Sequence, residues 1–197
     1  GLWILLMRKM GGGAGGGGLQ PCGGFIDDFD GMAALDWDVQ AGMFSNDAAV
    51  ATPPNSSFAL NETKGAVLSN CYAQVEVTQD SDGFPFVGWL AAGSPQRFLK
   101  FITNGSDQVF VQLSSDMGPA SDLQVMNAAP FTTGFVRIKE EAGNYTVETG
   151  SGSQGPWTVR VSFPAAGAPT WLSSPGRIFF GVEGNGTMAE FDNFNTP

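Results

Sequence analysis

The chain has 197 residues, enough for one domain with a sizeable hydrophobic core. Its 28 glycines, 12 prolines and 14% charged residues, together with the lack of a sustained helical period, indicate an all-β protein. A net charge of −10 with nine scattered Lys and Arg residues argues against nucleic-acid binding, and the absence of histidine excludes Ser–His and Cys–His nucleophiles.

The N-terminal segment is apolar and then rich in glycine. Its apolar run is followed by Arg8-Lys9, the reverse of the order in a secretory signal, and is far shorter than the about 20 residues that span a bilayer. An exposed run of this kind promotes aggregation, so we expect it to be buried against another chain or against the domain itself. We therefore predict an anchoring arm over residues 1–24, with the contacts made by Leu2, Trp3, Ile4, Leu5, Leu6 and Met7.

Short segments with strand-like alternation follow through the rest of the chain. Residues 72–79 alternate most clearly, with Ala73, Val75 and Val77 on one face, whereas residues 117–130 are irregular and are predicted to form a crossing loop. About a dozen such segments separated by turn residues indicate an antiparallel β-sandwich or jelly roll. The predicted strands include residues 37–44, 48–52, 57–60, 72–79, 84–90, 97–103, 108–113, 135–140, 144–148 and 157–162.

Residues 177–194 are predicted to form a closing hairpin, because Gly184-Asn185-Gly186 supplies the positive φ values of a tight turn.

Segments 84–90 and 97–103 carry apolar residues on both faces. This pattern fits burial against a neighbouring molecule and equally well a covering loop.

The two cysteines, Cys22 and Cys71, allow one disulfide bond. A bridge needs Cα atoms within about 7 Å of each other, which sequence alone does not show. We leave the bridge open and favour two unreactive thiols.

Short motifs at both ends of the globular part resemble the concanavalin A-like lectin/glucanase sandwich, and more narrowly the laminin-G-like modules of bacterial and phage proteins. They are Phe25-Ile-Asp-Asp-Phe29, Phe191-Asp-Asn-Phe194 and, between them, Trp37-Asp-Val39. The resemblance implies an antiparallel two-sheet jelly roll over residues 25–197 with an extended N-terminal arm. It also implies that residues 191–194 pair with residues 25–29.

Glucanases of this superfamily carry their catalytic carboxyls as Glu-x-Asp-x-Glu on one strand, because retaining hydrolysis needs two carboxyls about 5–5.5 Å apart. That pattern is absent here, since the glutamates are isolated or, at Glu140-Glu141, adjacent and on opposite faces. We therefore predict that the chain is not an enzyme.

Two pairs of aspartates are candidate ligands for calcium. Asp28 with Asp30, and Asp80 with Asp82, place paired carboxylates beside a glycine turn, but neither pair continues into an EF-hand loop and ordinary turns are favoured. No other metal or cofactor is predicted.

Sugar-binding sites commonly use an exposed aromatic platform. Trp37, Trp89 and Trp157 lie in strand patterns and are expected in the core, whereas Trp171 lies in a proline- and serine-rich loop. Trp171 is the predicted glycan-binding residue.

Two functions remain. The first is a non-enzymatic structural protein of a bacteriophage virion, a capsid decoration or tail-associated protein anchored by its arm to other virion proteins and to copies of itself. The second is a carbohydrate-binding module that recognises cell-surface glycans outside the cell.

Overall fold

The computed structural model of the protein describes residues 18–24, 37–41, 43–44, 50–52, 58–63, 66–81, 84–92, 97–103, 108–114, 123–127, 130–183 and 188–195. Two short 3₁₀-helices, Cys22–Gly24 and Thr170–Ser173, accompany the strands. In this part of the chain, no helix is long and apolar enough to cross a bilayer. The strands are β1 (Gln20–Pro21), β2 (Trp37–Ala41), β3 (Met43–Phe44), β4 (Val50–Thr52), β5 (Phe58–Thr63), β6 (Cys71–Ser81), β7 (Phe84–Ala91), β8 (Phe98–Thr103), β9 (Val109–Ser114), β10 (Leu123–Asn127), β11 (Gly134–Glu141), β12 (Asn144–Gly150), β13 (Trp157–Pro164), β14 (Gly176–Glu183) and β15 (Met188–Asp192).

The strands form two sheets, which confirms the predicted antiparallel sandwich. The first sheet has the order β13-β12-β11-β6-β15-β4-β3, and β1 lies beside the start of β6. The second sheet has the order β10-β9-β8-β7-β14-β5-β2. Apart from the parallel β1–β6 pair, the described strand pairs are antiparallel.

The core lies between the sheets and is built from alternate residues of each strand. Val75 and Val77 of β6 and Val111 of β9 are fully buried, as their period-two patterns predict. Across the sandwich, the rings of Phe180 in β14 and Phe191 in β15 lie 4.7 Å apart. The shared face predicted for Ala73, Val75 and Val77 is therefore confirmed, as is the strand predicted at residues 108–113.

The closing hairpin predicted at the C-terminus is wrong. Strand β14 pairs with β7 and β5 in the second sheet, whereas β15 pairs with β6 and β4 in the first. Both strands turn a phenylalanine into the shared core, so they face each other across the sandwich and not along one sheet. Residues 25–29 lie outside the described residues, and their pairing with residues 191–194 stays a prediction.

The crossing loop predicted at residues 117–130 is also wrong in part. Residues Leu123–Asn127 form β10, which pairs with β9 so that Leu123 lies opposite Leu113. Pairing satisfies backbone groups that an irregular segment would have to leave to solvent. The strand stands in a segment with Gly118 and Pro119 before it and Pro130 after it, and these turn residues favoured the interpretation as a loop.

The interpretation of the cysteines as two thiols is wrong, because Cys22 and Cys71 form a disulfide bond with their Cα atoms 5.0 Å apart. The bridge follows from the topology, since β1 lies beside the start of β6 and brings the next residue against Cys71. Farther along β6, the backbone N–H of Asn195 donates to the carbonyl of Gln74. Segments 18–24 and 188–195 therefore both lie along β6.

Candidate functional site on the outer face of the second sheet

Trp171, predicted to be an exposed platform, is buried. It lies in the 3₁₀-helix Thr170–Ser173 and is 8% exposed, within the hydrophobic core. The helix is closed by Leu172 N–H donating to the Pro169 carbonyl and turns Trp171 and Leu172 inward together. The premise of an exposed ring is wrong, because proline and serine content does not reveal a single helical turn.

Trp157, expected in the core, lies half-buried on the outer face of the first sheet. A bulge between Val147 and Glu148 shifts the register of β12 against β13. Trp157 therefore lies opposite Gly150, while Val161 lies opposite Val147 and packs against the core. An alternating pattern does not reveal such a bulge. Trp89, by contrast, is fully buried as predicted.

On the outer face of the first sheet, charged side chains pair with one another. The Arg137 guanidinium lies 3.7 Å from the centroid of the Trp157 ring and pairs with Glu148, whose side chain is 3% exposed. Lys139 Nζ lies 3.6 Å from the same carboxylate. Burial raises the pKa of the Tyr72 phenol, and the charge of Arg137 partly opposes the rise. These polar groups are mostly committed to one another, which is typical of a structural surface.

The remaining sequence candidates lie largely beyond the described part of the chain. This holds for the apolar run Leu2–Met7 and for Asp28, Asp30 and Asp82, while of Asp80 only the backbone position in β6 is described. Within the described residues, no group of three or more Cys, Asp, Glu or His side chains is placed to hold a metal ion.

A different surface combines aromatic rings with polar groups on the outer face of the second sheet. Five outward positions of β8 and β9 are half-buried and form what we call the β8–β9 strip: Phe98, Lys100, Ile102, Phe110 and Gln112. Their inward neighbours belong to the core. Strand register places Lys100 opposite Gln112 and Ile102 opposite Phe110, so a polar pair lies next to an apolar pair across the two strands.

A buried aromatic cluster beside the strip fixes its position. Phe86, Leu90 and Phe179 also point outward, yet they are only 2%, 8% and 6% exposed. The Phe179 ring centroid lies 5.6 Å from that of Phe86 and 6.5 Å from that of Phe98. Gly88 makes room for this ring, because a Cβ there would lie 2.3 Å from it. Phe98 is thus supported from the side by rigid packing.

The amine of Lys100 lies over two of these rings. Its Nζ is 5.6 Å from the centroid of Phe86 and 5.2 Å from that of Phe98, which is cation–π geometry. The strip therefore offers aromatic faces, one positioned ammonium donor and the Gln112 amide within one surface. Apolar walls with a few placed polar groups are the usual composition of small-molecule sites.

The carboxyl residues that strand register places on this face lie away from the strip. Asp38 of β2 is opposite Glu62 of β5, which is in turn opposite Phe179 of β14. The outward positions of β7, β8, β9 and β14 whose side chains are described carry no Asp or Glu: Phe84, Phe86, Gly88, Leu90, Phe98, Lys100, Ile102, Phe110, Gln112, Ser114, Arg177, Phe179 and Gly181. A glycosidase-type acid–base pair would have to come from residues outside this set.

The sequence contained a sign of the strip. Segments 84–90 and 97–103 carry apolar residues on both faces. Their outward members include Phe86 and Leu90 of the cluster and three of the five strip residues, Phe98, Lys100 and Ile102. Lys100 lies within that apolar pattern, and its amine contacts the rings of Phe86 and Phe98.

Comparison with known proteins gives a fold and no family. No family model and no curated protein matches the chain. Among solved structures, a Crh5 transglycosylase in complex with NAG has a TM-score of 0.66 at 15% identity, covering 86% of this chain and 82% of that one. A Bacillus licheniformis β-glucanase has a TM-score of 0.59 at 9% identity, covering 86% and 95%. Winged bean acidic lectin complexed with methyl-α-D-galactose has a TM-score of 0.58 at 12% identity, again covering 86% and 95%.

These structures confirm the concanavalin A-like lectin/glucanase fold and contradict two predictions. The non-enzymatic virion protein is not supported, because the similar structures are mainly glycosidases, a transglycosylase and a lectin. One similar structure comes from a phage, and it is the CBM2 module of the phage J-1 evolved Dit. The prediction that the chain is not an enzyme is contradicted as well, because enzymes share its fold. At these identities the likeness establishes the fold alone.

Proposed function

We propose that this protein binds carbohydrate through the β8–β9 strip. The observation that carries the proposal is the juxtaposition of half-exposed aromatic rings with Lys100 and Gln112 on one outer sheet face. Structures of the same fold are described with NAG and with methyl-α-D-galactose. This is the alternative function derived from the sequence, now assigned to different residues.

The chemistry of the strip suits a pyranose. The apolar C–H face of a sugar ring packs on Phe98 or Phe110, while its hydroxyls accept from the Lys100 ammonium and exchange hydrogen bonds with the Gln112 amide. Because Lys100 is held over two rings, little side-chain freedom remains to be lost on binding.

The disulfide supports a location outside the reducing cytosol. Bridges such as Cys22–Cys71 form and persist in oxidising compartments. Extracellular or cell-surface glycans are therefore the ligands to examine first, and a virion location has no support.

The test is retention of the protein on a panel of polysaccharides: a soluble β-glucan, a chitin oligosaccharide, a galactoside polymer and mucin. For the ligand retained, Phe98→Ala should weaken binding about two- to tenfold, since one aromatic contact contributes about 0.5–1.5 kcal/mol. Lys100→Met, which keeps the apolar stem, should weaken binding about tenfold by loss of a charged hydrogen bond.

Two variants serve as controls. Val67→Ala changes an exposed apolar residue elsewhere, 42% exposed, and should bind as the parent chain does. Trp157→Ala probes the opposite face, and loss of binding there with unchanged binding by the strip variants would contradict the proposal. Each retained polysaccharide is also tested for new reducing ends, because enzymes share this fold.

A further inference from the structure

An apolar groove of about 420 Å³ opens at one side of the sandwich, and none of its lining residues belongs to the β8–β9 strip. It lies where the end of β9 meets the loop that follows β13. It is lined by Leu113, by Phe163 and Pro164 at the end of β13, and by four residues of the loop 165–169. The floor of the groove is continuous with the hydrophobic core, since Phe163 and Ala168 pack against the core. Its volume is near the lower end of ligand pockets, so it accepts a short apolar segment and not a folded partner.

The chain itself contains such a segment. The run Leu2–Met7 consists of six large apolar residues, and the first charge after it is Arg8. Left in water, a run of this kind favours aggregation. The lining of the groove is apolar as well, so the two surfaces match in chemistry.

The length of the intervening chain matches the distance to be covered. Gln20 lies opposite Cys71, and the same row continues through Glu140 and Tyr145 to Phe163 in the groove. The row crosses four strand spacings, about 19 Å in all. The eleven-residue connection from the run to Gly18 is rich in glycine, and its expected end-to-end distance is about 17–20 Å. Such a match maximises the effective concentration of the run at the groove.

We propose that residues 2–7 dock in this groove of the same chain and shield it. The proposal concerns a surface distinct from the carbohydrate strip and stands independently of it. The sequence predicts that the run is buried either against another chain or against the domain itself, and docking in the groove is the second of these.

The test uses trypsin on the full chain, because Arg8 and Lys9 form a cleavage site directly after the run. Docking should protect this site. Leu5→Glu in the run and Ala168→Glu in the groove should each speed cleavage there about tenfold, the change expected when burial of one large apolar side chain is lost. Leu5→Glu leaves the sandwich sequence intact, so a folding defect of Ala168→Glu would not decide the outcome.

Val67→Glu is the matched control, since it adds the same charge at an exposed apolar position outside the groove. Its cleavage rate should equal that of the parent chain. Equal rates for Leu5→Glu and the parent would overturn the proposal. Faster cleavage in Leu5→Glu but not in a folded Ala168→Glu would place the run elsewhere. Protection that grows with protein concentration, with a doubled mass in light scattering, would mean that the run docks on a second copy.

Discussion

At the scale of single residues, the aromatic packing on the second sheet depends on a position without a side chain. Gly88 in β7 leaves the space that the Phe179 ring occupies, and that ring supports Phe86 and Phe98. A period-two pattern predicts which residues of β7 point outward. It does not show that one outward position must be empty, because the ring comes from a strand about 90 residues away along the chain.

Gly88→Ala should destabilise the protein by about 1–3 kcal/mol, the usual cost of forcing extra atoms into a packed site. The added Cβ would lie 2.3 Å from a Phe179 ring carbon and 2.8 Å from the Leu99 carbonyl oxygen. Chemical denaturation measures the effect. Gly152→Ala is the control, because its nearest neighbour is 3.5 Å away. Equal stability of the two variants would show that the aromatic cluster moves without cost.

At the scale of elements, alternation in the sequence predicts strands well and their partners poorly. The strands predicted at residues 135–140 and 144–148 are β11 and β12, which pair as a hairpin because Ala142 and Gly143 between them take the positive φ values of a tight turn. The closing pair β14 and β15 has equally good turn residues but divides between the sheets. Only long-range packing separates these two cases. For the same reason, neither the bulge that exposes Trp157 nor the helical turn that buries Trp171 could be predicted.

The first element, β1, has a two-residue pairing and one covalent bond to the sandwich. The Cys22–Cys71 bridge closes a loop with a sequence separation of 49 residues. Loop-closure entropy then predicts a contribution of about 4 kcal/mol. Cys22→Ser with Cys71→Ser should lower the free energy of unfolding by up to about this amount in urea denaturation. The parent chain in reductant is the matched comparison. An unchanged transition midpoint in both would contradict a stabilising role for the bridge.

At the scale of the whole molecule, the two outer faces differ in chemistry. The first sheet presents the paired charges of Arg137, Lys139 and Glu148. The described charged side chains on strands β7, β8, β9 and β14 of the second sheet are Lys100 and Arg177, although the chain as a whole carries −10. Segments 18–24 and 188–195 lie along β6 of the first sheet. The proposed binding surface is therefore on the sheet opposite those segments. Sequence reasoning looked for it on loops, whereas the structure offers it on strands.

Lysine acetylation with and without the retained polysaccharide tests the binding surface most directly. Lys100 lies in the β8–β9 strip, whereas Lys139 lies on the outer face of the other sheet and serves as an internal control. At saturation, acetylation of Lys100 should slow about tenfold or more, because only the unbound fraction reacts. Acetylation of Lys139 should stay unchanged. Protection of Lys139 with undiminished modification of Lys100 would contradict the assignment of carbohydrate binding to the second sheet.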